Sequence, residues 1–384
     1  MRVLVAPDCF TGSLTAAQAA AAIAQGWLRQ APDDELIRVP LADGGPGFLD
    51  ALHTALGGDL LPVTVTGPLG DPAPASVLLV RSAAGATGYL ESAQACGLQL
   101  VPTDRRDPGV TSSAGVGELL LAARQAGATR IVIGLGGSAT NDAGAGLLHA
   151  LIAEAGLADD RLDDLLGAGG AGLAGATQAV LAPLVAIRQR WAGIELVVAS
   201  DVDVPLLGPQ GASQVFAGQK GATAEQALEL DGALGDFALA AVQALDLAQK
   251  VVVAPGAGAA GGLGFGLFLL GAGRESGAQA VIDAVDLVGR LAQADLAVTG
   301  EGTFDWQSLR GKVVTGVARA AQQAGRPTVV LAGQVQVGRR EMQSIGVDAA
   351  YPVARTPAEL AASLADPGAR LAALAERVAR TWSH

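Results

Sequence analysis

Short apolar runs that stop at glycine and then carry an acid, an amide or a base recur along this chain. The fullest is Leu296–Lys312, LAVTGEGTFDWQSLRGK, in which Leu296-Ala297-Val298 leads into Thr299-Gly300-Glu301-Gly302 and then Asp305, Gln307, Arg310 and Lys312. Such a stretch reads as a buried strand opening into a site, because open α/β sheets bind ligands beyond the carboxyl ends of their strands. Glycine there lets the backbone come close to a ligand. A tight turn with ordinary surface charges is the rival reading of any single loop. The same grammar, however, returns at 7–13, 42–47, 136–142, 201–203 and 256–262, each at a predicted strand end or helix start. That repetition points to the α/β class.

The order of elements adds an architecture. Arg2–Ala6 predicts a strand, and Thr15 with Gln18 forms a capping box that opens a helix over Thr15–Gln30. A strand at Leu36–Leu41 and a helix at Phe48–Leu56, stopped by Gly57, follow. Asp8 and Asp43 thus both fall just beyond strand ends. Pro62–Val80 alternates around the turn Gly67–Pro72 and predicts antiparallel pairing. Further strands are expected at Gly88–Glu91, Arg130–Gly134, Glu195–Ala199 and Val251–Ala254. Helices are expected within Thr111–Gly127, after residue 142 to about Ala155, and over Glu225–Leu245. Asp159–Thr177 is of low complexity and yields no assignment. From Asp295 the strand–helix rhythm resumes, with strands at Asp295–Thr299, Thr328–Ala332 and about Ala349–Val353. Its helices lie at Val314–Ala324, Glu359–Ala365 and Ala369–Trp382. The simplest arrangement is a Rossmann-like parallel-sheet domain made from both chain ends, 1–60 and 290–384. A second mixed α/β domain, 61–289, is inserted between them.

Composition narrows the function classes. A chain of 384 residues that is 50% hydrophobic can bury two cores, and at 3% aromatic those cores must be built of Ala, Val and Leu. A net charge of −12 with no basic patch in the sequence argues against a nucleic-acid partner. The two cysteines, Cys9 and Cys96, lack metal-ligand spacing and fit a reducing, cytoplasmic setting. Val251–Gly273 carries no charge and is long enough to span a bilayer. Pro255 and its bunched glycines instead predict a strand, a glycine loop and a buried helix, so no membrane partner is expected.

Several constellations could carry chemistry. Lysine occurs only at positions 220, 250 and 312, and Lys220 and Lys312 lie in glycine-flanked loops, where a point charge suits a phosphate. An arginine-rich genome leaving its few lysines anywhere is the competing account. Asp201 and Asp203 could hold Mg²⁺ or could cap a turn, and the sequence leaves both open. Gly256-x-Gly258-x-x-Gly261 matches a dinucleotide fingerprint but lacks a well-placed acid about twenty residues on. A plain packing turn competes with it, and a nicotinamide-dependent enzyme is the reading it would favour. No phosphate-binding loop of the Gly-x-x-x-x-Gly-Lys-Ser type exists, since Val313 follows Gly311-Lys312 and Trp306 stands where the first glycine should be. His53, His149 and His384 lie outside all these loops, so no histidine nucleophile or metal site is expected.

Taken in order, the motifs resemble the glycerate kinase family. The resemblance rests on Ala6-Pro7-Asp8, Gly12-Ser13-Leu14, Pro40–Gly45, Gly67–Gly70, Gly136–Asp142, Pro205-Leu206, Gly211-Ala212-Ser213, Gln219–Ala222, Pro255–Gly264, Thr299–Gly302, Asp305, Gln307–Leu309 and Gly311-Lys312. It implies a two-domain α/β kinase with Mg²⁺-ATP as donor, D-glycerate or a related hydroxy acid as acceptor, and 2-phosphoglycerate as product. It also implies roles. Asp43 contacts the acceptor hydroxyls and is a candidate base, with Asp8, Ser13, Gly44 and Gly45 lining the same pocket. Lys220, Arg310 and Lys312 neutralise phosphate charge. Gly136, Gly137, Ser138, Asn141, Asp142, Gly256 and Gly258 border the nucleotide, and Asp201 and Asp203 orient Mg²⁺. Glu301 and Asp305 serve the acceptor or the metal. A homodimer is compatible with this picture. The chain departs from the family pattern at Cys9, Thr11, Pro46, Phe48, Ala114, Val116, Ala143 and Thr303, and at the unusual Phe304 and Trp306. The changes at Thr11, Pro46 and Thr303 remove a lysine, a glutamate and an arginine. They keep a second reading open, that of a binding or regulatory relative with altered specificity.

Overall fold

The computed structural model describes residues 1–10 and 12–383, which leaves Thr11 and His384 outside the described residues. Two compact units make up the chain. One is drawn from Met1–Asp43, Gly47–Gly57 and Ser276–His384, the other from Gly44–Pro46 and Gly58–Glu275. In chain order the strands are β1 (Arg2–Val5), β2 (Glu35–Arg38), β3 (Asp59–Thr66), β4 (Pro72–Ser82), β5 (Gly85–Glu91) and β6 (Arg130–Gly134). They continue with β7 (Glu195–Ala199), β8 (Gly273–Glu275), β9 (Leu296–Phe304), β10 (Thr328–Val335) and β11 (Ala349–Pro352).

The first unit holds a five-stranded sheet in the order β11-β10-β9-β1-β2, with every pair parallel. Its central strands are covered on both faces, which is why they read as unbroken apolar runs. Val3, Val5, Leu296, Val298, Val329 and Leu331 pack with Ile23 and Trp27 of the helix Ala16–Gln30 and with Leu371 and Val378 of the helix Pro367–Trp382. The alternate residues Val330 and Ala332 pack instead with Val314 and Ala318 of the helix Val313–Gln323. The period of two along a strand does this sorting. The predicted capping box is present: Gln18 N donates to Thr15 Oγ1 at 3.2 Å, and Thr15 N donates to Gln18 Oε1 at 2.9 Å.

The second unit holds a six-stranded sheet in the order β3-β4-β5-β6-β7-β8. β3, β4 and β5 form the expected antiparallel meander, and β5 to β8 run parallel. Its core is aliphatic, with Trp191 buried and Phe237 and Phe265 meeting edge-on at 6.1 Å between ring centres.

Three sequence expectations change. Val251–Ala254 is no strand: Gln249–Val251 is a single 3-10 turn, and the place beside β7 is taken by β8. Pro255 and Gly256 leave that valine run no room to extend, while β8 is a short half-exposed edge strand without an apolar signature. The Gly256–Gly261 fingerprint therefore follows a turn, which removes the strand that a dinucleotide reading requires. β9 also runs five residues past its expected end, from Thr299 to Phe304, so Glu301 sits within a strand and not in a loop. Finally, the unassigned stretch 159–177 contains the helix Asp160–Leu166, capped by Asp159, whose Oδ1 accepts Leu162 N at 2.9 Å. No helix among the described residues is long and apolar enough to cross a membrane.

Candidate active site

In the first unit the chain lays β2 to one side of β1 and β9, β10 and β11 to the other, so the strand order reverses between β1 and β9. A reversal of this kind leaves a crevice at the carboxyl ends of the two strands. The backbone continues its parallel pairing past the strand ends: Ala6 N donates to Val298 O and Asp8 N to Gly300 O, each at 2.8 Å, while Leu41 N donates to Pro7 O at 2.9 Å. These bonds carry Asp8 out on β1 and Asp43 out on the extension of β2. Glu301 comes from β9 itself. Three carboxylates therefore stand on three neighbouring strands of one sheet.

Their surroundings make two of them unusual acids. Asp8 and Glu301 are each only 8% exposed. Burial pushes the Asp8 carboxyl up to about 8; the charge of Asp43 adds to this and that of Glu301 adds less, while the Cys9 N–H at 2.7 Å opposes it. Burial likewise lifts Glu301 to about 7, against a hydrogen bond from Ser308 and the charge of Lys312. Glu301 Oε1 is buried and has no hydrogen-bond partner. A buried carboxylate oxygen without a donor is costly, so it marks a place where a ligand hydroxyl would be welcome.

The segment after β9 is held stiffly. Asp305 Oδ1 accepts Gln307 N at 2.8 Å, Ser308 Oγ accepts Asp305 N at 3.2 Å, and Thr315 Oγ1 donates to Ser308 O at 2.6 Å. Asp305 thus closes its own turn. Gly311, at φ +107°, admits a left-handed step that few other residues tolerate. Lys312 then begins the helix Val313–Gln323, whose first N–H groups have no side-chain cap. Arg310 lies over the exposed Trp306 ring at 4.7 Å. Ser13, expected in the acceptor pocket, donates its hydroxyl to Phe10 O at 2.8 Å and closes a turn.

In the second unit the glycine loop at 136–142 is real, and its groups are mostly spent on the protein. Asp142 is fully buried. Its Oδ2 accepts Ser113 N and Ser113 Oγ, both at 2.8 Å, and Gly146 N at 3.2 Å, while Oδ1 accepts Gly144 N at 3.0 Å. Burial raises its pKa and these donors oppose the rise. Its carboxylate ties together the starts of two helices, Ala114–Gln125 and Ala145–Glu154. Lys220 is buried and donates to Thr140 O at 2.6 Å and Ser138 Oγ at 3.0 Å; burial lowers its pKa to about 8. Asn141 donates to Ser213 Oγ at 2.9 Å and leaves Oδ1 buried without a partner.

The glycines here answer to backbone packing. A Cβ on Gly136 would come within 2.6 Å of Gly45 Cα, one on Gly44 within 2.5 Å of Ala199 O, and one on Gly137 within 2.9 Å of Pro46 Cγ. One on Gly258 would collide with Pro205 O, and one on Gly256 would meet the Arg274 side chain at 2.8 Å. Asp203 is exposed and ion-paired to Arg274 at 2.6 Å, and no group of three metal-ligating side chains occurs among the described residues. Arg274 thus already neutralises one carboxylate of the Asp201 and Asp203 pair.

Sequence reasoning missed Ser113, Ser213 and Ser308 as partners of the loop residues. Ser213 and Ser308 stand inside motifs that carry the family resemblance, whereas Ser113 gives no signal beyond lying near glycines. Several departures from the family pattern prove to be packing: Phe48, Val116 and Phe304 are fully buried, and Pro46 packs against Gly137. Thr11 lies outside the described residues.

The fold and these buried strand-end carboxylates define an α/β protein built to handle a small polar molecule, and the comparisons name the group. The glycerate kinase family model matches residues 3–383, and the chain belongs to that family. It is 41% identical over 354 residues to glycerate 2-kinase of Escherichia coli K12, covering 92% of this chain and 90% of that one. It is 39% identical over 381 residues to glycerate kinase of Haemophilus influenzae, covering 99% and 98%. A crystal structure assigned as glycerate kinase 2 from Salmonella typhimurium LT2 superposes with a TM-score of 0.80 at 38% identity, covering 99% of this chain and 98% of that one.

Proposed function

We propose that the chain transfers a phosphoryl group from ATP to a hydroxyl of D-glycerate, giving 2-phosphoglycerate, or acts so on a closely related hydroxy acid. Beyond family membership, one observation carries this reading: Glu301, buried and with Oε1 unpartnered, stands at the sheet's reversal point beside Asp8. A carboxyl poised at about 7 can take the acceptor's hydroxyl proton near neutral pH. Glu301 is thus a stronger candidate for the base than Asp43, which we assign with Asp8 to the acceptor's other hydroxyl. Lys312, whose charge already reaches Glu301, and the uncapped helix start at Val313 supply positive potential for the transferring group. On the nucleotide side, Lys220 uses two of its three donors within the protein and Asn141 keeps a buried oxygen unspent. Both support a ligand at Gly136–Asp142.

The test is purified protein with Mg²⁺-ATP and D-glycerate, read by ADP release and by phosphorus NMR of the product. 2-Phosphoglycerate is the expected product. Turnover of another hydroxy acid in preference to D-glycerate would narrow the reading to the altered acceptor. Absence of both turnover and nucleotide binding would leave a non-catalytic relative.

A further inference from the structure

Three arginines gather at the far edge of the first unit's sheet. Arg355 follows the end of β11, just before the helix Pro357–Ala365, and Arg370 and Arg377 lie two turns apart on one side of the helix Pro367–Trp382. All three line one cleft of about 550 Å³. None of the three guanidinium groups has an ion-pair or hydrogen-bond partner among the described residues. The acids nearby are otherwise engaged. Glu376 pairs with Arg380 at 3.5 Å and with Arg29 at 4.0 Å. Glu359, the one acid in the lining, accepts the backbone N–H of Arg355 at 2.7 Å. Leu374 and Val378 supply an apolar wall.

All three side chains are exposed to solvent, and what sets them apart is that they share one cleft. The chain has 37 Asp and Glu against 25 Lys and Arg, so carboxylates are abundant. Like charges around one cleft repel one another, and the one acid in the lining, Glu359, is engaged by the Arg355 backbone N–H rather than by a guanidinium. Guanidinium forks match phosphate and carboxylate oxygens in bidentate geometry. The volume lies within the range of small-molecule sites.

We propose that this cleft is a second ligand site, taking a small multiply charged anion, a phosphate or a polycarboxylate, with Arg355, Arg370 and Arg377 as its charge partners. It stands apart from the phosphoryl-transfer reading, since Asp8, Glu301 and Lys312 are not in its lining.

The probes are inorganic pyrophosphate and citrate, titrated calorimetrically into the full chain. At least one should bind with a Kd below about 1 mM and bind at least about tenfold more weakly to Arg370→Gln/Arg377→Gln, since two charge-assisted contacts are removed. Which probe responds identifies phosphate or carboxylate as the preferred chemistry. Basal kinase activity without the probe should be unchanged in that variant. Should the pair disturb its helix, Arg355→Gln alone gives the same readout from outside any helix. A control, Arg339→Gln/Arg340→Gln, removes two exposed arginines from the helix Arg339–Ser344 and should leave binding intact. The proposal fails if neither probe binds, if the Arg370/Arg377 variant binds both as tightly as the parent, or if the control weakens binding equally.

Discussion

At the scale of single residues the claim concerns where protons sit. If Glu301 takes the acceptor's proton, the rate should rise as pH climbs through about 7, the value to which burial lifts it, and then level off. Glu301→Gln should lower kcat by about 10²–10⁴-fold and abolish that rising limb. Retention of the limb in the Gln variant would move the role to Asp8 or Asp43. Asp8 makes a separate prediction about stability. Its folded pKa, about 8, lies above the ordinary carboxyl value of 3.8, so between those values the folded chain binds the proton more tightly than the unfolded one. Its contribution to stability is fully present below about pH 4 and is lost as pH rises through 8. Asp8→Asn removes this slope while keeping an oxygen for the Cys9 N–H. Thermal unfolding should then show the variant gaining on the parent steadily from pH 5 to pH 8 and melting higher at pH 8. Parallel curves for the two would remove the argument that Asp8 is held protonated.

At the scale of elements the glycines divide sharply. Gly26 lies where the helix Ala16–Gln30 crosses the helix Pro367–Trp382, and a Cβ there would collide with the Ala372 backbone. Gly232, on the helix Ala224–Ala244, is exposed and meets nothing within 4 Å. Gly26→Ala should therefore cost about 3 kcal/mol or more, because backbone cannot give way. Gly232→Ala should stabilise by about 0.5–1 kcal/mol through helix propensity alone. Denaturant unfolding of the two variants checks both signs, and equal effects would mean that the close helix crossing is not what sets Gly26. The contrast also shows what the sequence could tell. Strands such as Arg130–Gly134 and Glu195–Ala199 were legible to the residue, because a doubly covered parallel strand is a continuous apolar run. β8 was not, since a half-exposed edge strand needs no such run. Among candidate site residues, the placing of Asp8, Asp43 and Glu301 on neighbouring strands or their extensions was legible from their position after apolar runs. That Asp142 spends its carboxylate on two helix starts, and that Ser13 closes a turn, depends on partners up to 29 residues away or on local geometry, which spacing does not encode.

At the scale of the whole molecule the two units are joined to the chain in different ways. The second is nearly continuous, Gly58–Glu275 with Gly44–Pro46, whereas the first needs both termini. β1 lies between β2 and β9, and β9 joins it to β10 and β11. Without the C-terminal segment the first unit would retain two strands, too few for an independent sheet. The second would retain all six of its strands and a core that includes Trp191. A chain truncated after Glu275 should thus keep slow hydrogen exchange at the amides of β6 and β7 and lose it at those of β1 and β2. Trp27, now fully buried with its Nε1 2.8 Å from Asp34 Oδ2, should become accessible to a soluble quencher, while Trp191 stays protected. Fast exchange throughout would show that the second unit draws its stability from the first, and that the chain folds as one cooperative body. Protection confined to β6 and β7 would instead mean that the inserted unit can fold before synthesis reaches Leu296, leaving the carboxylate site, which needs β9 beside β1, to form last.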